Sequence, residues 1–236
     1  MDPTDPQLWD RVLDDAAEAE DLTAAASQRA CRGRLAASPS VSNTERMLEL
    51  RDAIMSAAVS GAPVELPRSV RTVVLVEGAS DLAAVEAAAR VMKADLDGVV
   101  IVAMGGAMSI RRFMSVLNGA VLNGVRIIGL CDVAEAGHFE RAGVETIVTC
   151  DPDLEGELMR SLGFSAVIEV LGSEGDLAAF RVFQNQPAQR ERDLDRQLHR
   201  FFGTIGGRKE KYGRALTAAL APENLPEPLA RLLAAL

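Results

Sequence analysis

The feature that most constrains the fold is a regular alternation of short apolar runs with helical segments. Four runs rich in β-branched residues occur, at 70–78, 98–104, 124–132 and 144–150. Runs of this length and composition are typical of strands buried in a parallel sheet. Strands that alternate with helices form such a sheet through right-handed crossovers. The sequence therefore predicts an α/β fold with a parallel sheet of about four strands and flanking helices.

The segments on either side of this alternating region have a different pattern. SGAPVELPRS, at 60–69, holds two prolines and a glycine and is the best candidate for a domain boundary. Helices are predicted at 8–36 and from about residue 42 to about residue 58, where apolar residues recur at helical spacing. Only helices are predicted from about residue 173 onward. We therefore predict a helical N-terminal extension at 1–68, an α/β domain at 69–172 and a helical C-terminal region at 173–236.

Charge is distributed unevenly along the chain. The formal net charge of −9 argues mildly against nucleic acid, because phosphate binding gains from a basic surface. Residues 1–21 hold eight acids and one arginine, whereas residues 181–214 hold nine basic residues and four acids. The basic segment is a candidate for nucleic-acid contacts, and a solvated helix face of mixed charge is the alternative. Its candidate contact residues are Arg190, Arg200, Arg208 and Arg214.

The sequence shows no sign of a membrane or secretory context. No run of 18 apolar residues occurs, and the acidic N-terminus lacks the basic-then-apolar order of a signal peptide. The three cysteines are far apart and show no zinc-ligand spacing. We therefore expect a cytoplasmic protein with free thiols and no membrane partner.

Acidic residues follow the predicted strands at the points where the strands end. Glu77 follows the first strand, with Asp81 four residues later. Asp132 ends the third strand, with Glu135 three residues later, and Glu155 follows the fourth. Ligands of parallel sheets bind beyond the carboxyl ends of the strands, where these side chains should gather. Carboxylates gathered without His or Cys predict a site for Mg²⁺ or Mn²⁺.

Some of these acids also have a structural interpretation. Asp81, Asp151 and Asp153 lie at predicted helix N-termini, where capping and the helix dipole favour acids, and Asp151 is the expected cap of a helix at 151–163. Glu77 and Asp132 are harder to explain structurally. A carboxylate at the mouth of a buried strand is costly unless it is paired or bound to metal.

Two further features allow more than one interpretation. Gly105 and Gly106 follow the second strand, and they form either a tight turn or a set of exposed amides that hold a phosphate. The two histidines, His138 and His199, stand alone in the sequence, and His199 is expected on a helix surface.

Five blocks in a fixed order carry a family resemblance: VLVEGASD, MGGA, GLCD, DLEGEL and a tail that includes LHRFFGTIGGRKEKYGRAL. They resemble the Toprim domain of the OLD (overcoming lysogenisation defect) nucleases, and small proteins described as Toprim nucleotidyl transferase/hydrolase domains. The resemblance covers about residues 70–236 and implies a Toprim-like, Rossmann-like sheet at 69–172. It also implies that Glu77 is an acid/base or a metal ligand, and that Asp81, Asp132 and Glu155 are metal ligands.

The resemblance further implies a basic catalytic residue near the C-terminus, for which Lys209 and Lys211 are the candidates. Two Mg²⁺ ions would then flank a scissile phosphate. One departure matters, because the D-x-D pair of the family is Asp132-Val133-Ala134 here and lacks its second acid. Glu135, one residue later, is the candidate replacement.

Another departure concerns ATP. OLD nucleases carry an ATPase domain before the Toprim domain, but no G-x4-G-K-[ST] occurs here. The resemblance thus implies either action without ATP or an ATPase partner in trans, and it leaves a homo-oligomer open. The expected function is that of a metal-dependent nuclease or nickase acting on nucleic acid, with DNA as the first candidate.

Two alternatives remain open. One is a non-catalytic module that binds nucleic acid or a partner, and the other is phosphoryl transfer on a small nucleotide. Tyr212, the only tyrosine, lies in a predicted tail helix, which argues against topoisomerase activity.

Overall fold

The computed structural model describes residues 41–236, with side chains from residue 45 onward. The helix predicted at 8–36 lies outside the described residues. The strands are β1 Thr72–Val76, β2 Val99–Ala103, β3 Arg126–Asp132 and β4 Thr146–Cys150. The α-helices are α1 Val41–Ser60, α2 Ala79–Met92, α3 Ile110–Leu122, α4 Ala136–Arg141, α5 Leu154–Leu162, α6 Phe164–Ser173, α7 Leu177–Gln184, α8 Leu194–Phe202, α9 Arg208–Ala218 and α10 Glu227–Ala234.

The four strands form one parallel sheet in the order β2-β1-β3-β4. The register places Val76 at the end of β1 opposite Ala103 of β2 and Leu130 of β3. All five residues of β1 are buried, as expected for an apolar strand covered on both faces. The predicted α/β fold with a parallel four-stranded sheet is confirmed.

Each face of the sheet contributes to its own hydrophobic core. Alternate residues of β1 point to opposite faces, so Val74 belongs to one core and Val73 to the other. The Val74 core is completed by α2, α5 to α10 and their connections, whereas the Val73 core includes α1 and α3. The Val74 core runs across the predicted boundary near residue 172, and the Val73 core runs across the one near residue 68. The division into three parts remains a prediction.

Two helices were not expected from the sequence. α4 has six residues and is too short to show a helical period. α6 buries Val167, Ile168, Val170 and Leu171, and such an apolar run with β-branched residues shows no polar face to identify it as a helix. No helix within residues 41–236 has the length and apolar character needed to cross a membrane.

The N-terminus of α5 differs in detail from its prediction. Asp153, not Asp151, is the capping residue, because its Oδ1 accepts a hydrogen bond from the N–H of Gly156 at 2.8 Å. Helix α5 therefore begins at Leu154 and places Glu155 in its first turn, directed toward the end of the sheet.

Helix α9 lies unusually close to α2. A Cβ added to Gly213 of α9 would lie 2.5 Å from the carbonyl oxygen of Ser80 in α2, so only glycine allows this approach. Asp176 anchors the first turns of α9 by accepting a hydrogen bond from the Tyr212 hydroxyl at 2.9 Å and one from Lys211 at 3.1 Å. As a result, the start of α9 is held beside the carboxyl ends of the strands.

Candidate functional site

A cavity of about 270 Å³ opens at the carboxyl ends of the strands. Seven of the thirteen residues predicted from the sequence line it, together with Gly78 and Ser80. The seven are Glu77, Asp81, Gly105, Gly106, Asp132, Glu155 and Lys209. The cavity therefore combines residues from the carboxyl ends of β1, β2 and β3 with residues of α2, α5 and α9 that are far apart in the sequence.

Glu77 lies directly after β1 and connects the ends of two strands. Its Oε1 accepts a hydrogen bond from the N–H of Asp132 at 2.8 Å. Burial raises the pKa of Glu77, and the charges of Glu135 and Glu155 add to the effect, against the opposing Asp132 hydrogen bond. The carboxyl group is thus held in place at a position where a negative charge is unfavourable without a cation.

Asp81 has both a structural role at the start of α2 and a position in the cavity. It lies in the first turn of α2, where its Oδ2 accepts a hydrogen bond from the N–H of Gly78 at 2.7 Å. It also lines the cavity, and burial followed by the charges of Glu155 and Glu77 raises its pKa to about 7. Capping therefore explains the position of Asp81, but the Gly78 hydrogen bond and the Lys209 charge compensate its negative charge only in part.

Asp132, at the end of β3, has the same electrostatic character. Burial raises its pKa to about 7, and the surrounding carboxylates, Glu77 first among them, add to the shift. Three carboxyl groups that disfavour each other's ionisation form a site that a divalent cation would stabilise. The residues present at the cavity therefore fit a divalent metal ion.

Glu155 and Lys209 close the other side of the cavity. Glu155 is only 6% exposed, and its Oε1 lies 3.1 Å from Nζ of Lys209 but accepts no aligned hydrogen bond. Burial would lower the pKa of the Lys209 ammonium, but the adjacent Glu155 carboxylate outweighs burial and raises it. A permanent positive charge thus lies at the edge of a carboxylate cluster.

The structure separates the two lysine candidates. Lys211 does not line the cavity, and its ammonium lies 3.1 Å from Asp176 and 3.2 Å from Glu174. Two residues along α9 change the direction of the side chain by about half a helical turn. Lys209 is therefore the lysine that reaches the cavity.

A cluster next to the cavity brings in a histidine that the sequence did not indicate. Nε2 of His199 lies 2.6 Å from Oδ2 of Asp153. Among the described residues, Asp153, Glu155 and His199 are the one set of potential metal ligands whose atoms all lie within 4.8 Å of each other. His199 lies between Leu198 and Arg200 in α8, and no local pattern distinguishes it from a surface histidine.

Asp153 and His199 stabilise each other's charged forms. Burial opposes ionisation of Asp153, but the hydrogen bonds from His199 and Gly156 outweigh burial and lower its pKa. The hydrogen bond to Asp153 raises the pKa of His199 against the opposing effect of burial. The preference for Mg²⁺ assumed that no histidine lies at this end of the sheet, and His199 removes that assumption.

The missing acid of the D-x-D pair is not replaced within the cavity. Ala134 is exposed, and Oε2 of Glu135 lies 3.4 Å from Nε2 of His138 outside the cavity. The charge of Glu135 still acts on Glu77 and helps to raise the pKa of that carboxyl group. The β3 side of the site therefore offers one carboxylate where the family pattern has two.

The four arginines predicted to contact nucleic acid have different surroundings. Arg208 is largely buried, with its guanidinium 4.0 Å from the centre of the Phe201 ring and 3.3 Å from Asp176. Arg214 pairs with Glu210, whereas Arg190 and Arg200 are exposed. Internal ion pairs therefore neutralise part of the basic segment, and Arg190 and Arg200 offer the more accessible charge.

Part of the chain matches a known protein family. Residues 70–133 match the family described as overcoming lysogenization defect protein-like, TOPRIM domain. No curated protein matches the sequence at a significant level.

Two solved structures have a similar fold. One is the C-terminal region of the Burkholderia pseudomallei OLD protein, with 18% identity, a TM-score of 0.52 and coverage of 70% of this chain and 96% of that one. The other is the C-terminal region of the Xanthomonas campestris pv. campestris OLD protein, with 22% identity, a TM-score of 0.51 and coverage of 70% and 93%. The matched segment contains β1, β2, β3, Glu77, Asp81 and Asp132. Residues 70–133 of this chain are therefore similar in sequence to the OLD-like Toprim domain, and the two solved structures show that the fold is shared.

Proposed function

We propose that this chain hydrolyses phosphodiester bonds in nucleic acid with a divalent cation held at the carboxyl ends of the strands. The observation that supports the proposal most is the meeting of Glu77, Asp81 and Asp132 at one cavity that Lys209 also reaches. These three carboxylates would hold the cation. When bound, the cation would polarise a phosphoryl oxygen and activate a water molecule.

Lys209 has the position expected of a residue that stabilises charge on the phosphate. Its ammonium is half-exposed and paired with Glu155, so it can exchange this partner for a phosphoryl oxygen. The tight contact of Gly213 with Ser80 limits the movement of α9, and with it the movement of the Lys209 backbone. Glu155 would keep the ammonium in place until a phosphate enters.

The lining of the cavity favours a nucleic-acid backbone over a free nucleotide. Among the described residues, no aromatic side chain lines the cavity, so it offers no stacking platform for a base. Carboxylates, one ammonium, Ser80 and glycines form the lining instead. We therefore propose that the cavity recognises a phosphate of a chain that runs across its mouth.

A non-catalytic binding module is the second candidate, because of one specific observation. Ala134 occupies the position of the second acid, and Glu135 pairs with His138 outside the cavity. A site with one carboxylate fewer on the β3 side could bind a cation and a phosphate without cleaving the chain.

A plasmid assay tests the proposal. The protein is incubated with supercoiled plasmid in Mg²⁺ and separately in Mn²⁺, beside Glu77→Gln, Lys209→Met and a matched control, Glu169→Gln. Glu169 lies exposed on α6, away from the cavity. We expect nicked or linear product from the wild type and from Glu169→Gln, and a loss of about 100-fold or more in the two site variants.

Two results of this assay would contradict the proposal. Folded wild-type protein that leaves the plasmid intact in both metals, yet retards it in a gel, would replace the nuclease by the binding module. Cleavage that survives in Glu77→Gln would show that this cavity is not the site of hydrolysis.

A further inference from the structure

We propose that the cavity takes an unpaired nucleic-acid strand, whose bases pack against three exposed apolar side chains around the cavity mouth. These side chains, Met108, Val133 and Ile205, form what we call the apolar rim. The proposal rests on the proposed function and names the substrate class of the same site. It concerns the nucleotides on either side of the bound phosphate, because the lining of the cavity itself is polar.

The first support is the exposure of three large apolar side chains next to the cavity. Met108 is 76% exposed, Ile205 58% and Val133 50%. Each of them lies within four residues of a residue that lines the cavity. Among the described residues, six other large apolar side chains are exposed, and none of the six lies so close in sequence to the lining. Exposed apolar side chains that gather at a cavity indicate an interaction surface.

Two members of the apolar rim lie on the same side of the mouth. Met108 follows Gly106 of the lining by two residues, and two residues span at most about 7 Å of chain. Val133 directly follows Asp132, which also lines the cavity. The short helix at 107–109 contacts α4, which begins three residues after Val133. Met108 and Val133 are therefore neighbours beyond the ends of β2 and β3.

The third member lies on the side of the mouth formed by α9. The carbonyl oxygen of Ile205 accepts a hydrogen bond from the N–H of Arg208 at 3.1 Å. This turn holds Ile205 close to the start of α9, where Lys209 reaches the cavity. A strand with one phosphate in the cavity would therefore meet apolar side chains in both directions along its length.

The charge of the cavity is the second, independent support. Four carboxylates line it, and its one ammonium, that of Lys209, is already paired with Glu155. A duplex carries one phosphate charge for about every 1.7 Å of its length, and its binding depends on basic side chains that neutralise several of them. An unpaired strand carries fewer charges per length and also offers the faces of its bases. An acidic cavity with an apolar rim therefore suits an unpaired strand better than a duplex.

Apolar side chains can also contact the bases of a duplex, but at a greater cost. Isoleucine and methionine act there as wedges that unstack base steps, and the cost is offset when the bent duplex wraps more protein surface. In an unpaired strand the bases are already accessible, so the same contact needs no unstacking of a duplex. Contacts with base faces use no hydrogen bonds, and we therefore expect little sequence preference.

This substrate class also predicts which form of a plasmid is cut. Negative supercoiling favours local opening of the duplex, so a supercoiled plasmid presents unpaired segments. A relaxed plasmid of the same sequence presents fewer of them. We therefore expect the supercoiled form to be nicked faster than the relaxed form.

Strand binding by the full chain tests the proposal without relying on cleavage. The probe is a fluorescent DNA strand of about 20 nucleotides and mixed sequence, long enough to cross the mouth in either direction. It is titrated with protein once alone and once annealed to its complement. Ca²⁺ replaces Mg²⁺, so that binding is measured separately from hydrolysis. The Kd is obtained from the fluorescence anisotropy.

Two triple variants are compared with the wild type. The rim variant makes the apolar rim polar at nearly constant size, through Met108→Gln, Val133→Thr and Ile205→Thr. The control variant changes three exposed apolar side chains that do not line the cavity or adjoin it in sequence, through Val59→Thr, Leu122→Gln and Val182→Thr. All six side chains are exposed, so both variants should fold, and their melting curves check this.

We expect the wild type and the control variant to bind the single strand about 10-fold more tightly than the duplex. The rim variant should lose about 10-fold in affinity for the single strand and less than about 2-fold for the duplex. The salt dependence of strand binding should not change in the rim variant, because apolar contacts release no counterions.

Three results would overturn the proposal. One is equal affinity of the wild type for the single strand and the duplex. Another is a folded rim variant that binds the single strand as well as the control variant does. The third is a rim variant that loses self-association in sedimentation but keeps its strand affinity, because a second copy of the chain would then occupy the apolar rim.

The proposed function and this proposal fail separately. Plasmid cleavage by a protein that binds single strand and duplex equally would overturn the role of the apolar rim and leave the nuclease. Strand binding that depends on the apolar rim, in a protein that cleaves nothing, would support the strand preference and overturn the nuclease.

Discussion

Replacing Gly213 with alanine should destabilise the protein, although alanine is the better helix former. The added Cβ would lie 2.5 Å from the carbonyl oxygen of Ser80 and 3.2 Å from its carbonyl carbon. Both are backbone atoms of α2, so no side chain can rotate to relieve the contact. Helix α9 must move away from α2 by nearly 1 Å to reach ordinary van der Waals distance.

The magnitude follows from two opposing effects. Glycine to alanine inside a helix gains about 1 kcal/mol in free energy of unfolding through helix propensity. Overpacking against a rigid neighbour costs about 1–3 kcal/mol in the same free energy. We expect a cost near the upper end of this range, because the atoms that the new Cβ meets belong to the backbone. The net loss should be about 2 kcal/mol. For a chain of this size, such a loss lowers the Tm by about 4–8 °C.

The assay is thermal unfolding followed by circular dichroism, with Gly119→Ala as the matched control. Gly119 lies inside α3, and a Cβ added there would meet nothing within 4 Å. Gly119→Ala should therefore raise the Tm by a few degrees, through the same helix propensity. A Gly213→Ala protein with a Tm equal to or above that of the wild type would refute the close approach of α9 to α2.

Two further predictions concern charge. Without metal, stability should fall as the pH rises from about 4 to 7, because Asp81 and Asp132 keep their protons up to a pKa of about 7 in the folded chain but only to 3.8 when unfolded. Melting curves in EDTA at pH 5 and pH 8 measure this fall, which should be smaller in Asp132→Asn. Asp176→Asn should lose about 1–3 kcal/mol in urea unfolding at neutral pH, because Arg208 and Lys211 lose a charged partner. The depressed pKa of Asp176 means that this loss shrinks as the pH falls below about 3.8; a loss that does not shrink would contradict this explanation.

Residues at the ends of apolar strands could be placed from the sequence, because a local pattern determines their position. Glu77 directly follows one apolar strand and Asp132 ends another, and the carboxyl ends of parallel strands meet at one edge of the sheet. The convergence of these two residues on one cavity was therefore predictable. Lys209 and Lys211 could not be separated in the same way. The orientation of α9 depends on Asp176 and Gly213, whose partners are distant in the sequence.

His199 shows the limit of such reasoning most clearly. Its contact with Asp153 joins residues 46 positions apart, and the packing of α8 against α5 brings them together. The local sequence does not identify either residue as part of a site, since it indicates a helix cap at Asp153 and a surface residue at His199. A cap that also binds a distant side chain becomes evident only when the tertiary structure is known.

The close packing of α9 on α2 also has a consequence for the order in which the protein matures. Synthesis proceeds from the N-terminus, so β1, β3 and their carboxylates leave the ribosome well before Lys209 does. Until α9 has been synthesised, it cannot cover Ala84 and Ala88 of α2, which belong to the core shared with α9. A nascent or truncated chain would hold the acids of the cavity without the lysine that completes it. The complete cavity can therefore form only after α9 has been synthesised.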